Sequence, residues 1–187
     1  MVPTTEFLDD VKRALRARMR ATTRVIASDP VQRAERSRRL CVTLVDVVAA
    51  HLEAHPAAHA LERLDARRVM VFEPWRTEPD LAGFVTWCAE RPFDVFVPEV
   101  NGDEMFAAPG RVPPASLDVV VVPGLAFARD GRRLGRGRGH YDRFLAGVAP
   151  GCLRVGVAFS EQLVDDIPMA AHDVRLDAVV TDVGWSE

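Results

Sequence analysis

The stretch Val119 to Leu145, VVVVPGLAFARDGRRLGRGRGHYDRFL, decides how this chain is to be read. Four consecutive valines closed by Pro123-Gly124 predict a strand buried on both faces, as inner strands of a parallel sheet are. Gly131, Gly135, Gly137 and Gly139 follow within nine residues, with Arg132, Arg133, Arg136 and Arg138 between them. His140-Tyr141-Asp142-Arg143-Phe144-Leu145 then reads as the start of a helix. Glycines let backbone N–H groups approach an anion closely and adopt positive φ. A helix N-terminus adds partial positive charge, and arginine forks add bidentate phosphate contacts. Asp142 is the odd member, because a carboxylate in a phosphate-binding loop repels phosphate unless a metal sits between them. Mg²⁺ commonly binds through one or two carboxylates plus substrate phosphates. The stretch therefore reads as a nucleotide-phosphate and Mg²⁺ site, against the plainer reading of an exposed arginine-rich turn. It is not a Walker A sequence, for it lacks the Gly-Lys-Ser/Thr ending, and its glycines lack the Rossmann spacing.

Upstream, Thr5 to about Ala27 predicts a helix with Leu8, Val11, Leu15, Met19, Thr22 and Ile26 in one apolar stripe. Lys12 and Arg16, four apart, share a face beside that stripe. Periodicity alone makes that face a solvated flank, where exchanging Lys12 would cost little stability. Arg18, Arg20 and Arg24 read as surface. Asp29 is a good N-cap for a second helix, Pro30 suits its first position, and Gln32 can complete a capping box. That helix runs to about His55, where Pro56 breaks it. Leu40, Cys41, Leu44, Val45, Val48 and Leu52 form its buried face. His51 and His55 lack the acidic partner of an HExxH pattern and read as a solvated helix end.

From Arg68 onward the pattern changes to short apolar runs. Val69 to Phe72, Phe93 to Val97, Val119 to Val122, Leu153 to Phe159 and Ala178 to Thr181 read as strands, the last of these ending the sheet. Asn101-Gly102 signals a turn, with a short strand at Met105-Phe106 after it. Thr77-Glu78-Pro79 opens a helix through about Glu90 with Leu81, Phe84, Val85 and Cys88 inward, and a short helical piece lies near Glu161 to Val164. Strands alternating with helices predict an α/β fold: a layered, mostly parallel sheet flanked by helices, with two N-terminal helices, as a single domain over 1–187. Ligands in such sheets bind beyond the carboxyl ends of strands, where the glycine loop emerges.

A chain of 187 residues, 48% hydrophobic, suits one globular core. No apolar run can span a bilayer, the N-terminus lacks a secretory h-region, and the three cysteines lack CxxC spacing. A cytoplasmic location is expected. The net charge of −3 argues against a polyanion-binding protein, so no nucleic-acid partner and no membrane partner are expected. Lys12 is the only lysine among 24 basic residues, so its position invites attention.

Pro123-Gly124-x-Ala126-Phe127, followed by Gly131-x-Arg133-Leu134-Gly135-Arg136-Gly137-x-Gly139-x-Tyr141-Asp142-Arg143-x-Leu145, resembles the signature of the 5-formyltetrahydrofolate cyclo-ligases, also called methenyltetrahydrofolate synthetases. The resemblance implies an ATP- and Mg²⁺-dependent enzyme that cyclises 5-formyltetrahydrofolate to 5,10-methenyltetrahydrofolate, releasing ADP and phosphate. It implies ATP contacts at Lys12 and Arg16, which match a Lys-x-x-x-Arg pair on the family's first helix, and at Arg133, Leu134, Gly135, Arg136, Gly137, Arg138, Gly139 and Tyr141. Folate contacts fall on Glu78, Arg136, Gly137, Arg138, Gly139 and His140. Mg²⁺ ligands fall on Asp142 and Asp173, whereas Asp177 reads as a strand-edge acid. Arg133, Arg136 and Tyr141 are the catalytic candidates. A carboxylate at Glu78 suits a pterin, whose amino group and ring N–H are paired donors; as a structural residue it would be a first-turn helix acid.

The sequence departs from the family in two places. His140 replaces an aromatic residue that is commonly tyrosine. The segment from Met105 to Val119 is shorter than the family's, which helps cover the folate. Two other functions remain open from the residues: a divergent paralogue that keeps the ATP and Mg²⁺ site for another substrate, and an Arg-Gly loop that grips RNA.

Overall fold

The computed structural model describes residues 5–55 and 66–186. Pro56, read above as the helix breaker, lies outside them. Helix α1 spans Thr5–Ala27 and α2 spans Pro30–Ala54. Asp29 caps α2 by accepting the Gln32 N–H at 2.9 Å. The reciprocal half of the expected capping box is not made, so the cap is a simple one. Among the described residues nine strands follow: β1 Arg67–Met70, β2 Phe93–Asn101, β3 Glu104–Ala108, β4 Val119–Val122, β5 Ala126–Phe127, β6 Arg133–Leu134, β7 Leu153–Ala158, β8 Ala178–Thr181 and β9 Gly184–Ser186. Helix α3 spans Ala82–Ala89 and α4 spans His140–Leu145.

Seven strands form one sheet in the order β3-β2-β1-β4-β7-β8-β9. The five inner strands are parallel, and the edge strands β3 and β9 are antiparallel to their neighbours. This is the mostly parallel, helix-flanked sheet expected, with two differences. Strand β9 extends the sheet beyond Ala178–Thr181, and β5 and β6 form a separate hairpin. Both pieces are two or three residues long, too short for any alternation to announce them.

The four valines of β4 are all fully buried, because β4 is central and successive side chains point to opposite faces. Val119 and Val121 join Leu40, Leu44 and Val48 of α2, Phe84 of α3, and Val155 and Val157 in the core on one face. Val120 and Val122 join Met70, Phe96, Phe144 and Leu145 on the other. Each valine removed from water contributes about 1.5–3 kcal/mol before chain entropy is charged against it. A third cluster joins Met19 of α1 to Leu125, Ala126 and Leu134, and so docks α1 on the β5–β6 hairpin.

Three local expectations need correction. Lys12 is buried, whereas Val11 is exposed, so the inward face of α1 is rotated toward Lys12 by its ion pair with Asp173. Helix α3 starts at Ala82 rather than near Thr77, because the Asp80 carboxylate accepts the Ala82 N–H and defines the entry there, and Val85 faces out. His51 is half-buried while His55 is exposed: His51 Nε2 lies 3.1 Å from the Gly151 carbonyl and its ring stacks on His55 at 4.3 Å. Burial pushes the His51 pKa down and favours the neutral ring. Asp177 is the strand-edge acid expected, paired with Arg154 at 2.6 Å.

Arg36 of α2 holds the carboxyl ends of β7 and β8 together. It donates to Asp182 at 2.6 and 3.2 Å, to Glu161 at 2.8 Å and to Ser160 at 3.3 Å, and lies over the Phe159 ring. Burial alone would raise the Asp182 pKa; hydrogen bonds from Arg36 and the Ser160 N–H, with the Arg36 charge, outweigh it and hold that carboxyl below its ordinary value. The unfolded chain therefore takes up this proton at higher pH than the folded one. The stabilisation is complete above about pH 4 and is lost as pH falls through the lower folded value. Arg36→Met is expected to cost about 3–5 kcal/mol in urea unfolding at pH 7, since it strands a buried carboxylate. Asp182→Asn should flatten the acid limb of the stability profile, and an unchanged limb would show that the pair contributes nothing.

Candidate functional site

The site lies where the strand order turns back. Strands β1 and β4 are neighbours, but the chain leaves β1 toward β2 on one side and leaves β4 toward β7 on the other. Their following loops diverge and open a crevice at the carboxyl edge, the usual ligand position in such sheets. The loop after β1 carries Glu78. The loop after β4 carries the glycines and arginines.

The glycine loop is shaped by its hairpin. Ala126 pairs with Leu134 and Phe127 with Arg133, and the turn closes through Gly131 at φ 81°. A Cβ at Gly131 would lie 2.1 Å from the Leu176 carbonyl oxygen. The close approach is used, because the Leu176 N–H donates to the Gly131 carbonyl at 2.9 Å. This contact draws the segment carrying Asp173 against the loop. Gly137 and Gly139 also take left-handed backbone, at φ 104° and 67°. Helix α4 begins immediately afterwards but has only six residues, so its dipole adds little. The positive potential of the site comes chiefly from side chains.

Those side chains arrive from α1, α2 and the glycine loop, and meet carboxylates and backbone carbonyls. Lys12 Nζ lies 2.5 Å from Asp173 Oδ2, which also accepts the Ala170 N–H at 2.7 Å. Burial pushes the Asp173 carboxyl up, but the Lys12 and Ala170 hydrogen bonds and the charges of Lys12 and His172 hold it below its ordinary value. Arg16 donates from Nε to the Gly135 carbonyl at 3.1 Å. Arg133 donates to Asp142 Oδ1 at 3.0 Å, and the Val174 N–H reaches the same oxygen at 3.5 Å. Arg136 donates to Glu78 Oε1 at 2.8 Å, while the Trp75 N–H holds Oε2 at 2.9 Å. Glu78 is buried, and Arg33 of α2 fixes its carbonyl from 3.1 Å.

The sequence candidates thus gather in one region, with distinct placements. Arg136 and Arg138 are exposed, and His140 is half-buried. Leu134 is buried in the cluster beneath α1, so only its backbone is available to a ligand. Arg132 points elsewhere, to Asp130 and Asp166. Tyr141 packs against the second core with its hydroxyl buried, and neither that hydroxyl nor the Arg133 Nε has a hydrogen-bond partner among the described residues. Burial pushes the Tyr141 pKa up, so the group is a neutral O–H donor. Burial also pushes the Cys88 and Cys152 thiols up to about 12, which leaves them inert as nucleophiles. Sequence pattern singled out neither Arg33 nor Trp75, because both reach the site through folding alone.

The metal assignment can be tested on the donors present. Among the described residues no three His, Cys, Asp or Glu side chains gather into a cage. Asp142 nevertheless meets the segment that carries Asp173, since the Val174 N–H lies 3.5 Å from Asp142 Oδ1. Two carboxylates beside a glycine- and arginine-rich loop are a donor set that suits Mg²⁺ where phosphate supplies further oxygens, so the residue types fit that ion.

Residues 109–182 match the model of the 5-formyltetrahydrofolate cyclo-ligase family. The 5-formyltetrahydrofolate cyclo-ligase of Mus musculus is 41% identical over 70 residues, covering 34% of this chain and 34% of that protein. The cyclo-ligase of Mycolicibacterium smegmatis is 45% identical over 64 residues, covering 34% of this chain and 33% of that one. The chain therefore spans about a third of the length of these relatives. The fold likeness is wider. A 5,10-methenyltetrahydrofolate synthetase from Mycoplasma pneumoniae superposes with a TM-score of 0.76 over 91% of this chain and 98% of its own, at 24% identity. The Aquifex aeolicus 5,10-methenyltetrahydrofolate synthetase does so with a TM-score of 0.68 over 95% and 92%, at 26% identity. Over residues 109–182, which contain the glycine loop and Asp173, this chain is similar to the 5-formyltetrahydrofolate cyclo-ligase family, and its fold is that of the methenyltetrahydrofolate synthetases.

Proposed function

We propose that this protein cyclises 5-formyltetrahydrofolate to 5,10-methenyltetrahydrofolate at the expense of ATP, with residues 1–187 working as a single α/β unit in the cytoplasm. One observation carries the reading. Lys12, Arg16, Glu78, the loop 133–142 and Asp173 are scattered over 161 positions of sequence, and hydrogen bonds link them in pairs around one crevice.

In this reading Lys12, Arg16 and the loop 133–139 hold the nucleotide's phosphates, while Glu78 accepts from the pterin. The formyl oxygen attacks the γ-phosphorus, and ADP leaves with the bridging oxygen and its electron pair. N10 then adds to the formyl carbon and loses its proton. Cleavage of the C–O bond releases phosphate and leaves the methenyl bridge. Arg133 and Arg136 neutralise charge as it shifts along the phosphate oxygens, and Tyr141 donates its O–H. Asp142 and Asp173 would hold Mg²⁺, which neutralises phosphate charge when bound. No nucleophilic side chain is needed, because positioning and charge neutralisation suffice for phosphoryl transfer.

Purified protein mixed with ATP, Mg²⁺ and 5-formyltetrahydrofolate should generate the near-ultraviolet absorption of the methenyl product. Glu78→Ala should abolish folate binding and leave ATP binding intact. ATP binding with no methenyl product would instead indicate a paralogue with another substrate. Lys12→Met should weaken ATP by tens-fold, as a charge-assisted contact of about 1.5–3 kcal/mol is lost. It should also lower stability, because Asp173 is left buried and unpaired, and Asp173→Asn in the same chain should restore much of that loss. Asp142→Asn and Asp173→Asn should each raise the Mg²⁺ concentration needed for turnover, Asp142→Asn by more. Unchanged Mg²⁺ dependence in both would remove the metal assignment.

A further inference from the structure

Trp75 is the most exposed aromatic side chain of the region, 68% accessible, yet it is held firmly by its backbone N–H on buried Glu78. The face of its indole carries the Arg136 guanidinium, 5.0 Å from the ring centroid. The same guanidinium donates to Glu78 at 2.8 Å. A flat N–C–N group is therefore stacked on an aromatic face and bonded at its edge to a carboxylate. That pair of contacts recognises a class of ligand edge, and Arg136 is one member of the class.

The pyrimidinone half of a pterin is another. Its 2-amino group and N3–H form a planar N–C–N donor edge of the guanidine type. We propose that Trp75 and Glu78 form a receptor for this edge, that Arg136 occupies it as a stand-in when substrate is absent, and that the incoming pterin displaces Arg136. The inference rests on the cyclo-ligase reading and deepens it. It gives Trp75 the role of a positioning residue that stacks on the substrate. It also gives the exchange a consequence: Arg136, nearly half exposed in its side chain, is released from Glu78 only once the pterin is bound, and then becomes available to phosphate. Pterin and nucleotide should therefore bind with positive coupling, each improving the other by the same factor.

Binding of 5-formyltetrahydrofolate is measured by calorimetry and by quenching of tryptophan fluorescence, with and without a non-hydrolysable ATP analogue. Trp75→Ala should weaken folate binding about ten-fold, the scale of one aromatic stacking contact, and Trp75→Phe should recover most of it. Neither should alter analogue binding in the absence of folate. Arg136→Ala should bind folate alone about five-fold more tightly, because a partly exposed ion pair no longer competes, and should lose the coupling to the analogue. Thermal melting of each variant separates a binding change from unfolding, and the exposure of Trp75 predicts an unchanged melt for its variants. Weaker folate binding in Arg136→Ala, or unaltered binding in Trp75→Ala, overturns the proposal while methenyl formation by the parent protein leaves the cyclo-ligase reading standing. Failure of the parent protein to bind folate or form methenyl product overturns both.

Discussion

The structure depends on pairing charge across distance. Lys12–Asp173, Arg133–Asp142 and Arg136–Glu78 join segments 161, 9 and 58 residues apart. Each cation is one that a phosphate-binding loop needs, and each carboxylate is one that a metal or a pterin would need. Left alone in a half-buried crevice, such groups repel within their own kind and lack solvation. Paired, they neutralise one another and fix the geometry of the unliganded site. The Arg36–Asp182 pair serves the sheet in the same way, at the same carboxyl edge, but on the side of α2.

These pairings constrain what ligands must do. A nucleotide that recruits Lys12 takes it from Asp173, and a cation that recruits Asp173 takes it from Lys12. The two exchanges favour one another, because each supplies the partner that the other removes. Phosphate and metal therefore suit this site together better than either does alone. Within the proposed function, the same logic would let an acidic chain hold a polyanion: the local arginines are neutralised until a ligand arrives, so net charge says little about the crevice.

Much of this architecture was legible in the sequence, and what escaped it has a common cause. The four valines announced the central strand because burial on both faces leaves no room for polar alternation. The glycine run announced an irregular loop after that strand, because Gly131, Gly137 and Gly139 take left-handed backbone there. Lys12 was different. Helical periodicity placed it on a solvated flank, since its partner Asp173 lies at the far end of the chain and no local pattern refers to it. Val11 and Val85 were placed inward for the converse reason: hydrophobicity was counted, but the rotation of each helix is set by contacts made elsewhere. The six-residue length of α4 was also beyond local signals, and it shifts the source of positive potential from the helix to the arginines. Arg33 and Trp75 acquire meaning only through the fold, since one steadies Glu78 and the other carries Arg136 on its aromatic face beside it.

Gly131 carries a mechanical consequence. Its backbone touches that of Leu176 so closely that the loop after β4 and the segment before β8 are welded, main chain to main chain. The two carboxylates carried on either side of that weld cannot drift apart as separate parts. Helix α1 and the loop carrying Trp75 meet this block differently, through the side chains of Lys12, Arg16 and Glu78. The crevice thus behaves as a fixed anvil with two softer jaws. Adaptation to a bulkier or smaller substrate is open to the jaws, whereas the spacing of the anvil is set by a residue that tolerates no side chain.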